Sequence, residues 1–428
     1  MPKVILVAGA TGYVAARLIP ELLDRGFHVR CLVRSPEKIR HRSWYDRVEL
    51  CQGDVLDEKS LYSALSDVQV AYYLVHNMSS GKNYRENERT GAMNFGKVAK
   101  VCGLEQIIFL GGLGGSDKTR HMKSRQETGK ILRESGVPVT EFRSSVIIGS
   151  GSISFELIRF LTMWFPLIPA PKQTNQWGQP IGIRDLLHYL TLAMELPESR
   201  GRIIEIGGID RLRYPELMSG FALAMGLFRP RLALPLFPIA LSARIADLLT
   251  PVPNNIAFPL MEELTSSSIV QNSLADEIFP SMELSRYAES VQNALSRKEY
   301  PTRTGWLGAL VTREPLKGDH VRTSGEGLLI DYRELDNREH QINPKDFHTS
   351  KSVDGWITVD KGSGDWIGFY RKLKLLGSVR VEFWDKGPEI IQLLMFEPRG
   401  IPGLLWWKLV FPFVSRWMLA KLRREIGS

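Results

Sequence analysis

Val4-Ile5-Leu6-Val7-Ala8 runs directly into Gly9-Ala10-Thr11-Gly12-Tyr13-Val14-Ala15. An apolar run without polar alternation suits a parallel strand buried on both faces. The glycines then let the backbone turn sharply and approach a diphosphate. The segment from Tyr13 to Arg25 reads as a helix whose N-terminal amides face that anion, and a second strand is expected at His28 to Val33. Gly9, Thr11, Gly12, Tyr13 and Val14 are therefore candidate cofactor-binding residues. The competing reading, a plain strand-to-helix turn without a ligand, has against it that the glycines follow a strand, open a helix and precede a second strand.

Outward from this stretch the same rhythm continues. Strand-like runs are expected at Val48 to Cys51, Val68 to Val75, Glu105 to Leu110 and Val137 to Phe142. Amphipathic stretches such as Tyr84 to Cys102 and Ser124 to Ser135 separate them. The pattern predicts an α/β class: a Rossmann-type doubly wound parallel sheet with its cofactor at the carboxyl ends of the strands. From about Gly149 the pattern loosens into the aromatic, proline-rich Phe155 to Pro171, a helix at Arg184 to Glu195, a strand at Ile203 to Gly207 and a helix at Tyr214 to Met225. This reads as a substrate-side cap. The expected division is residues 1–295, with a core of about 1–150 and a cap of 151–295, followed by a separate α+β domain at 296–428. Tryptophans become frequent in that domain, and antiparallel strands are expected at Gly327 to Leu335, Trp356 to Asp360, Gly368 to Leu376, Val379 to Trp384 and Glu389 to Glu397.

The 428 residues exceed what one hydrophobic core usually serves. A net charge of +8 permits acidic partners, but the basic residues form no stripe interleaved with aromatics, so nucleic acid is not an expected partner. Cys31, Cys51 and Cys102 stand far apart, without metal-ligand spacing, and read as buried small hydrophobes in a reducing cytoplasm. No metal is expected. A secretory leader is not expected either, because the opening strand consumes the apolar start. No run of about 18 apolar residues suggests a membrane span.

The end of the second strand reports cofactor choice, since an acid there pairs with the ribose 2′-hydroxyl of NAD. Here the chain has Arg34-Ser35-Pro36-Glu37-Lys38. Arg34 and Lys38 suit a 2′-phosphate, so NADP(H) is expected over NAD(H), against the plainer reading of a solvated basic loop. In Gly53-Asp54-Val55, Asp54 and Val55 stand where adenine would be held, although a turn role serves Asp54 equally. His76, after the fourth strand, is a polar candidate at the sheet edge or a helix-capping loop residue, together with Asn77.

These residues together resemble the atypical short-chain dehydrogenase/reductase proteins related to NmrA and to the NAD-dependent epimerase/dehydratases. The resemblance covers residues 1 to about 295. It rests on the glycine turn, Gly53-Asp54-Val55, Phe142-Arg143-Ser144-Ser145, Pro180-Ile181 with Arg184-Asp185, and Glu205-Ile206-Gly207-Gly208. Pro398-Arg399-Gly400, then Gly403-Leu-Leu-Trp-Trp and a basic amphipathic helix, resemble the START or polyketide-cyclase-like helix-grip group, implying a sheet closed by a long helix over an apolar pocket.

The first resemblance implies a serine after the fifth strand and a Tyr-x-x-x-Lys pair. The chain departs from both, with Gly111-Gly112-Leu113-Gly114-Gly115 after the strand and His121-Met122-Lys123-Ser124-Arg125 at the helix start. His121 and Arg125 stand at the tyrosine and lysine positions, four residues apart on one helical face. Two readings stay open for them: altered proton delivery with the arginine at the nicotinamide ribose, or cofactor placement alone. The overall expectation is an oxidoreductase acting on a small apolar molecule, or a lipid- or quinone-like ligand. The alternative is a nucleotide-binding redox sensor or assembly factor without turnover. At the C-terminus, Phe413, Val414, Trp417, Met418, Leu422 and Ile426 share a helical face opposite Arg416, Lys421, Arg423, Arg424 and Glu425. That face either closes the helix-grip pocket or lies peripherally on a membrane.

Overall fold

The computed structural model describes residues 3–34, 36–39, 42, 44–76, 84–114, 119–235, 237–249, 254–296, 329–336, 356–361, 366–373, 375–385, 389–398, 400–415 and 420. The opening stretch forms β1 (Val4–Ala8), with Ile5, Leu6, Val7 and Ala8 fully buried, and turns into α1 (Tyr13–Asp24). There follow β2 (His28–Val33), β3 (Glu49–Gln52), α2 (Glu58–Leu65), β4 (Val70–Tyr73), α3 (Tyr84–Val101), β5 (Gln106–Gly112), α4 (Arg120–Glu134) and β6 (Val139–Ser144). Beyond them lie β7 (Ile147–Ile148), α5 (Ile153–Trp164), β8 (Ile168–Pro171), β9 (Trp177–Gly178), β10 (Ile181–Gly182), α6 (Ile183–Leu192) and β11 (Ile203–Ile206). Then come β12 (Leu212–Arg213), α7 (Tyr214–Ala224), β13 (Arg231–Leu234), α8 (Ile239–Leu249), α9 (Asn254–Glu263), α10 (Leu274–Ile278) and α11 (Tyr287–Ser296).

Seven strands form one parallel sheet in the order β11-β6-β5-β4-β1-β2-β3. The chain leaves β1 toward β2 on one side and returns on the other side as β4, so the order reverses at β1. A crevice opens at the carboxyl ends of β1 and β4 for that reason. Helices cover both faces. Leu18, Ile19 and Leu22 of α1 pack with Leu186 and Leu190 of α6 on one face. Leu61 and Leu65 of α2, Phe95 and Val98 of α3, and Leu132 of α4 pack on the other. Burial on both faces is what the uninterrupted apolar run of β1 requires.

Some expected boundaries shift. β5 continues past Leu110 through Gly112, because Gly111 and Gly112 still pair with Arg143 and Ser144 of β6. The fourth helix starts at Arg120 instead of Ser124, because the Thr119 hydroxyl caps it by accepting from the Met122 amide at 3.1 Å. Of the three cysteines expected to be buried, only Cys31 is. Cys51 is half-buried on the edge strand β3, and Cys102 is half-buried just past the end of α3. Phe155 to Pro171 resolves into α5 and β8, with Phe155 packed edge-on against Phe221 of α7 at 5.7 Å between ring centres. Ile148, Phe155, Leu217, Phe221, Tyr287 and Val291 form the core of this region.

The chain divides into two compact units, residues 1–243 with 254–301, and residues 244–253 with 302–428. The second unit has an antiparallel sheet of β14 (Leu329–Asp336), β15 (Ile357–Lys361), β16 (Trp366–Leu373), β17 (Gly377–Asp385) and β18 (Glu389–Pro398), in the order β14-β18-β17-β16-β15. Ile367, Phe369, Val381, Phe383, Leu394 and Phe396 are buried in it. α12 (Gly400–Leu405) runs on through a wide turn at Trp406–Val410, and Trp407 stacks on both Phe396 and Phe411. Phe413 is exposed. Trp417, Met418, Leu422 and Ile426 lie outside the described residues. No helix among the described residues is long and apolar enough to cross a membrane.

Candidate functional site

The glycine turn sits at the crevice. Gly9 has φ of +93°, and a Cβ there would lie 2.8 Å from the carbonyl carbon and oxygen of Leu74, which follows β4. Only glycine meets both conditions. The Gly12 amide donates to the Gly9 carbonyl at 2.9 Å and closes the turn, which makes Gly12 the N-cap of α1. Among the described residues no side chain caps α1, and its first turn carries no acid, an end that suits an anion. Thr11 is exposed above this turn, while Gly12, Tyr13 and Val14 are half-buried. The Arg17 guanidinium lies 3.8 Å from the Tyr13 ring centre and donates to the Ser150 carbonyl at 2.6 Å, tying α1 to the segment after β7. A turn that excludes a Cβ and ends in an uncapped helix fits a dinucleotide diphosphate.

At the end of β2, Arg34 is 66% exposed and its Nη1 lies 3.8 Å from Asp54 Oδ2. The other Asp54 oxygen accepts from the Leu56 amide at 3.0 Å, which is the turn role, one of the two expectations for Asp54. Val55 is buried beside α3, where a Cβ at Gly91 would lie 2.8 Å from its Cγ2. The side chain of Lys38 lies outside the described residues, as does Asn77.

The structure brings His76 and His121 together. His121 on α4 and His76 after β4 face each other with their Nε2 atoms 2.9 Å apart. His76 Nδ1 lies 2.8 Å from Glu88 Oε1, and the Ser124 hydroxyl donates to the other Glu88 oxygen. His121 Nδ1 makes a short contact with Glu263, the last residue of α9. Two imidazoles thus lie in line between two carboxylates. Arg125, expected to share a face with His121, turns inward instead. Its guanidinium donates to the Val75 and Leu110 carbonyls, lies 4.8 Å from the Phe109 ring centre and stands 3.9 Å from Glu88.

Burial disfavours the Glu88 carboxylate, but the bond from His76, the charge of Arg125 and the Ser124 hydroxyl outweigh it and bring the carboxyl down to about 2. Burial and the Arg125 charge push His76 down to about 4, against the opposing pull of Glu88. The His76 side chain keeps 34% of its surface open, which softens the burial contribution, while the buried Arg125 preserves the direction. At neutral pH His76 is therefore a neutral ring that donates from Nδ1 to Glu88 and accepts at Nε2 from His121.

Glu88, Ser124 and Glu263 escaped the reading of the sequence. Glu88 carried a signal: it precedes Gly91, Ala92 and Phe95 at i+3, i+4 and i+7, all on the buried face of α3. A carboxylate at a core position of an amphipathic helix needs a partner. Glu263 carried none, because its contact with His121 spans 142 residues.

Residues 9–145 match the model of an NAD(P)H-binding family. Cinnamoyl-CoA reductase 1 of Oryza sativa is 26% identical over 138 residues, 31% of this chain and 40% of that protein. Photosystem II assembly factor Ycf39 of Cyanophora paradoxa is 29% identical over 143 residues, 32% of this chain and 44% of that protein. The chain spans less than half the length of either relative. Among solved structures, the triphenylmethane reductase of Citrobacter superposes with a TM-score of 0.55 at 16% identity, over 68% of this chain and 99% of that one, a likeness of fold. Residues 9–145 thus match an NAD(P)H-binding family, on a parallel sheet whose fold is that of the solved reductase.

Proposed function

We propose that the protein is an NADP(H)-dependent oxidoreductase of a small apolar carbonyl or hydroxyl compound, with His121 as the group that exchanges the proton. The observation that carries this reading is the His121–His76 pair, closed at each end by a carboxylate, at the carboxyl edge of β4. Gly9, Gly12 and the start of α1 would hold the diphosphate, Arg34 the 2′-phosphate, and Asp54 and Val55 the adenine end. When bound, the nicotinamide supplies or accepts a hydride.

The chain itself supplies the proton. Every ring nitrogen of the pair is engaged: each Nδ1 faces a carboxylate, and the two Nε2 atoms face each other. The Nε2···Nε2 contact is the one that joins two rings without a charged acceptor, so a substrate oxygen can displace it and take the His121 Nε2 proton. His121 keeps Nδ1 toward Glu263, which holds the ring in place. Glu88 fixes the tautomer of His76. Arg125 acts as a positioning residue that keeps Glu88 ionised and ties the ends of β4 and β5. Titration of NADPH and NADH into the purified protein, then turnover with apolar aldehydes, ketones and quinones followed by nicotinamide absorbance, tests this reading.

A second reading has its own support. β5 ends in two glycines with no serine, tyrosine and lysine are replaced by His121 and Arg125, and one relative is named as an assembly factor. A protein that binds the nucleotide tightly, turns over none of these substrates and copurifies with a partner chain fits a non-catalytic sensor or assembly role.

For the second unit we propose a START-like role in holding an apolar, lipid- or quinone-like ligand. Gln392 supports it: the side chain is fully buried, its amide nitrogen and oxygen have no hydrogen-bond partner among the described residues, and it pairs in register with Phe383 on a face that also carries Val381 and Leu394. A ligand with one polar group would satisfy that amide. Saturable binding of an apolar dye to the whole protein, weakened in Gln392→Leu, is the expected result.

A further inference from the structure

Among thirty successive residues, Leu217 to Ala246, the charged residues are Arg229, Arg231 and Arg244, and none is acidic. The first unit presents much of this segment to solvent. Leu223, in the last turn of α7, is 82% exposed, and Phe228 just beyond is 85% exposed. Met225 and Leu232 are exposed as well. Single exposed apolar side chains are ordinary, but Leu223, Met225 and Phe228 gather at one end of the same helix.

Hydrogen bonds gather them there. α7 buries Leu217, Met218, Phe221 and Ala222, so Ser219 and Leu223, four apart, follow a different face. After Ala224 the chain turns back through Gly226, at φ +66°, with the Leu227 amide donating to the Ala222 carbonyl at 2.8 Å. Phe228 therefore emerges beside the helix end. Arg229 is drawn across the end of α5 by a 3.0 Å bond from Nε to the Thr162 carbonyl. Arg231, the first residue of β13, donates to Ser219 Oγ at 2.8 Å and so lies one turn before Leu223, with Glu216 3.8 Å away. Leu232 follows on β13, in register with Pro169 of β8.

We propose that this face, built from Leu223, Phe228, Arg229 and Arg231, docks the protein on an anionic bilayer surface. Exposed aliphatic and aromatic side chains enter the headgroup boundary while arginines beside them meet lipid phosphates. Charge argues against a second copy of the chain as the occupant. In a two-fold interface the patch meets itself, which would set arginine against arginine. The inference is independent of the proposed redox chemistry, since neither the glycine turn nor the histidine pair takes part in it.

Cosedimentation of the full chain with vesicles of equimolar phosphatidylcholine and phosphatidylglycerol, and with pure phosphatidylcholine vesicles, tests it. The expected result is binding to the anionic vesicles that weakens at high salt. The double variant Leu223→Ser, Phe228→Ser should lower that affinity roughly tenfold or more while leaving thermal midpoint and nucleotide affinity unchanged. Absence of binding by the parent protein, or binding that the double variant leaves intact, would overturn the proposal. So would a parent dimer, seen by light scattering, that the same substitutions split.

Discussion

His121 and His76 meet Nε2 to Nε2 at 2.9 Å across 45 residues of sequence. Both rings cannot donate along this line, so the pair has a direction, and the electrostatics of Glu88 and Arg125 give it one by keeping His76 neutral. His121 is the donor.

Removing that donor should stop the chemistry without disturbing nucleotide binding. For His121→Ala we expect turnover on an identified substrate to fall by about 10²–10⁴-fold. NADPH affinity, followed by intrinsic fluorescence, should stay close to that of the parent. Glu263→Gln should keep more activity than His121→Ala while shifting the pH profile of kcat, because the ring remains but its charged neighbour is gone.

Gly9→Ala should damage both stability and nucleotide binding. The positive φ and the approach to Leu74 together cost about 1–3 kcal/mol. The turn can relieve the clash only by moving away from β4, which opens the phosphate cradle. Thermal denaturation and an NADPH titration on the same sample measure both effects. Unchanged affinity in a folded variant would place the diphosphate elsewhere.

Arg34 stands 3.8 Å from a carboxylate that opposes an added phosphate. Arg34→Ala should therefore weaken NADPH by roughly tenfold, with NADH little changed, since only the former carries the 2′-phosphate. Asp54→Asn should act in the opposite direction on NADPH. Parallel titrations of the two nucleotides into the three proteins give the test, and an equal loss of both in Arg34→Ala would remove the basis for NADP(H) preference.

The histidine cluster makes stability depend on acid. The Glu88 carboxyl is held at about 2 in the fold, against 4.5 when unfolded, so its contribution is present above 4.5 and is lost as pH falls toward 2. His76 is held at about 4 against 6.5, so the unfolded chain binds the extra proton between those values. That contribution is complete above pH 6.5 and drains away as pH falls toward 4. His76→Gln should abolish the upper part of the loss. Urea unfolding of parent and variant at pH values above 6.5 and near 5 compares them directly, with a smaller midpoint change expected for the variant.

Much of the first unit was legible in the residues because its information is local. Val4 to Ala8 is apolar without alternation because both faces of the sheet are covered, and Gly9 and Gly12 stand where the backbone must turn. Periodicity located α1, α3 and the parallel strands to within a few residues. It erred where a tertiary neighbour extended an element, as β6 does for Gly111 and Gly112, or where a cap set the start, as Thr119 does for α4.

The sequence by itself determined the doubly wound sheet, the glycine turn after its first strand and the placing of His121 and Arg125 four residues apart at the start of one helix. Only the tertiary structure decided what those two residues do. Arg125 is drawn inward because the carbonyls of Val75 and Leu110 end adjacent strands beside the buried Glu88. His121 gains its partners from β4's end and from the last residue of α9. Contacts over 45 and 142 residues depend on how elements pack, and no local propensity encodes them.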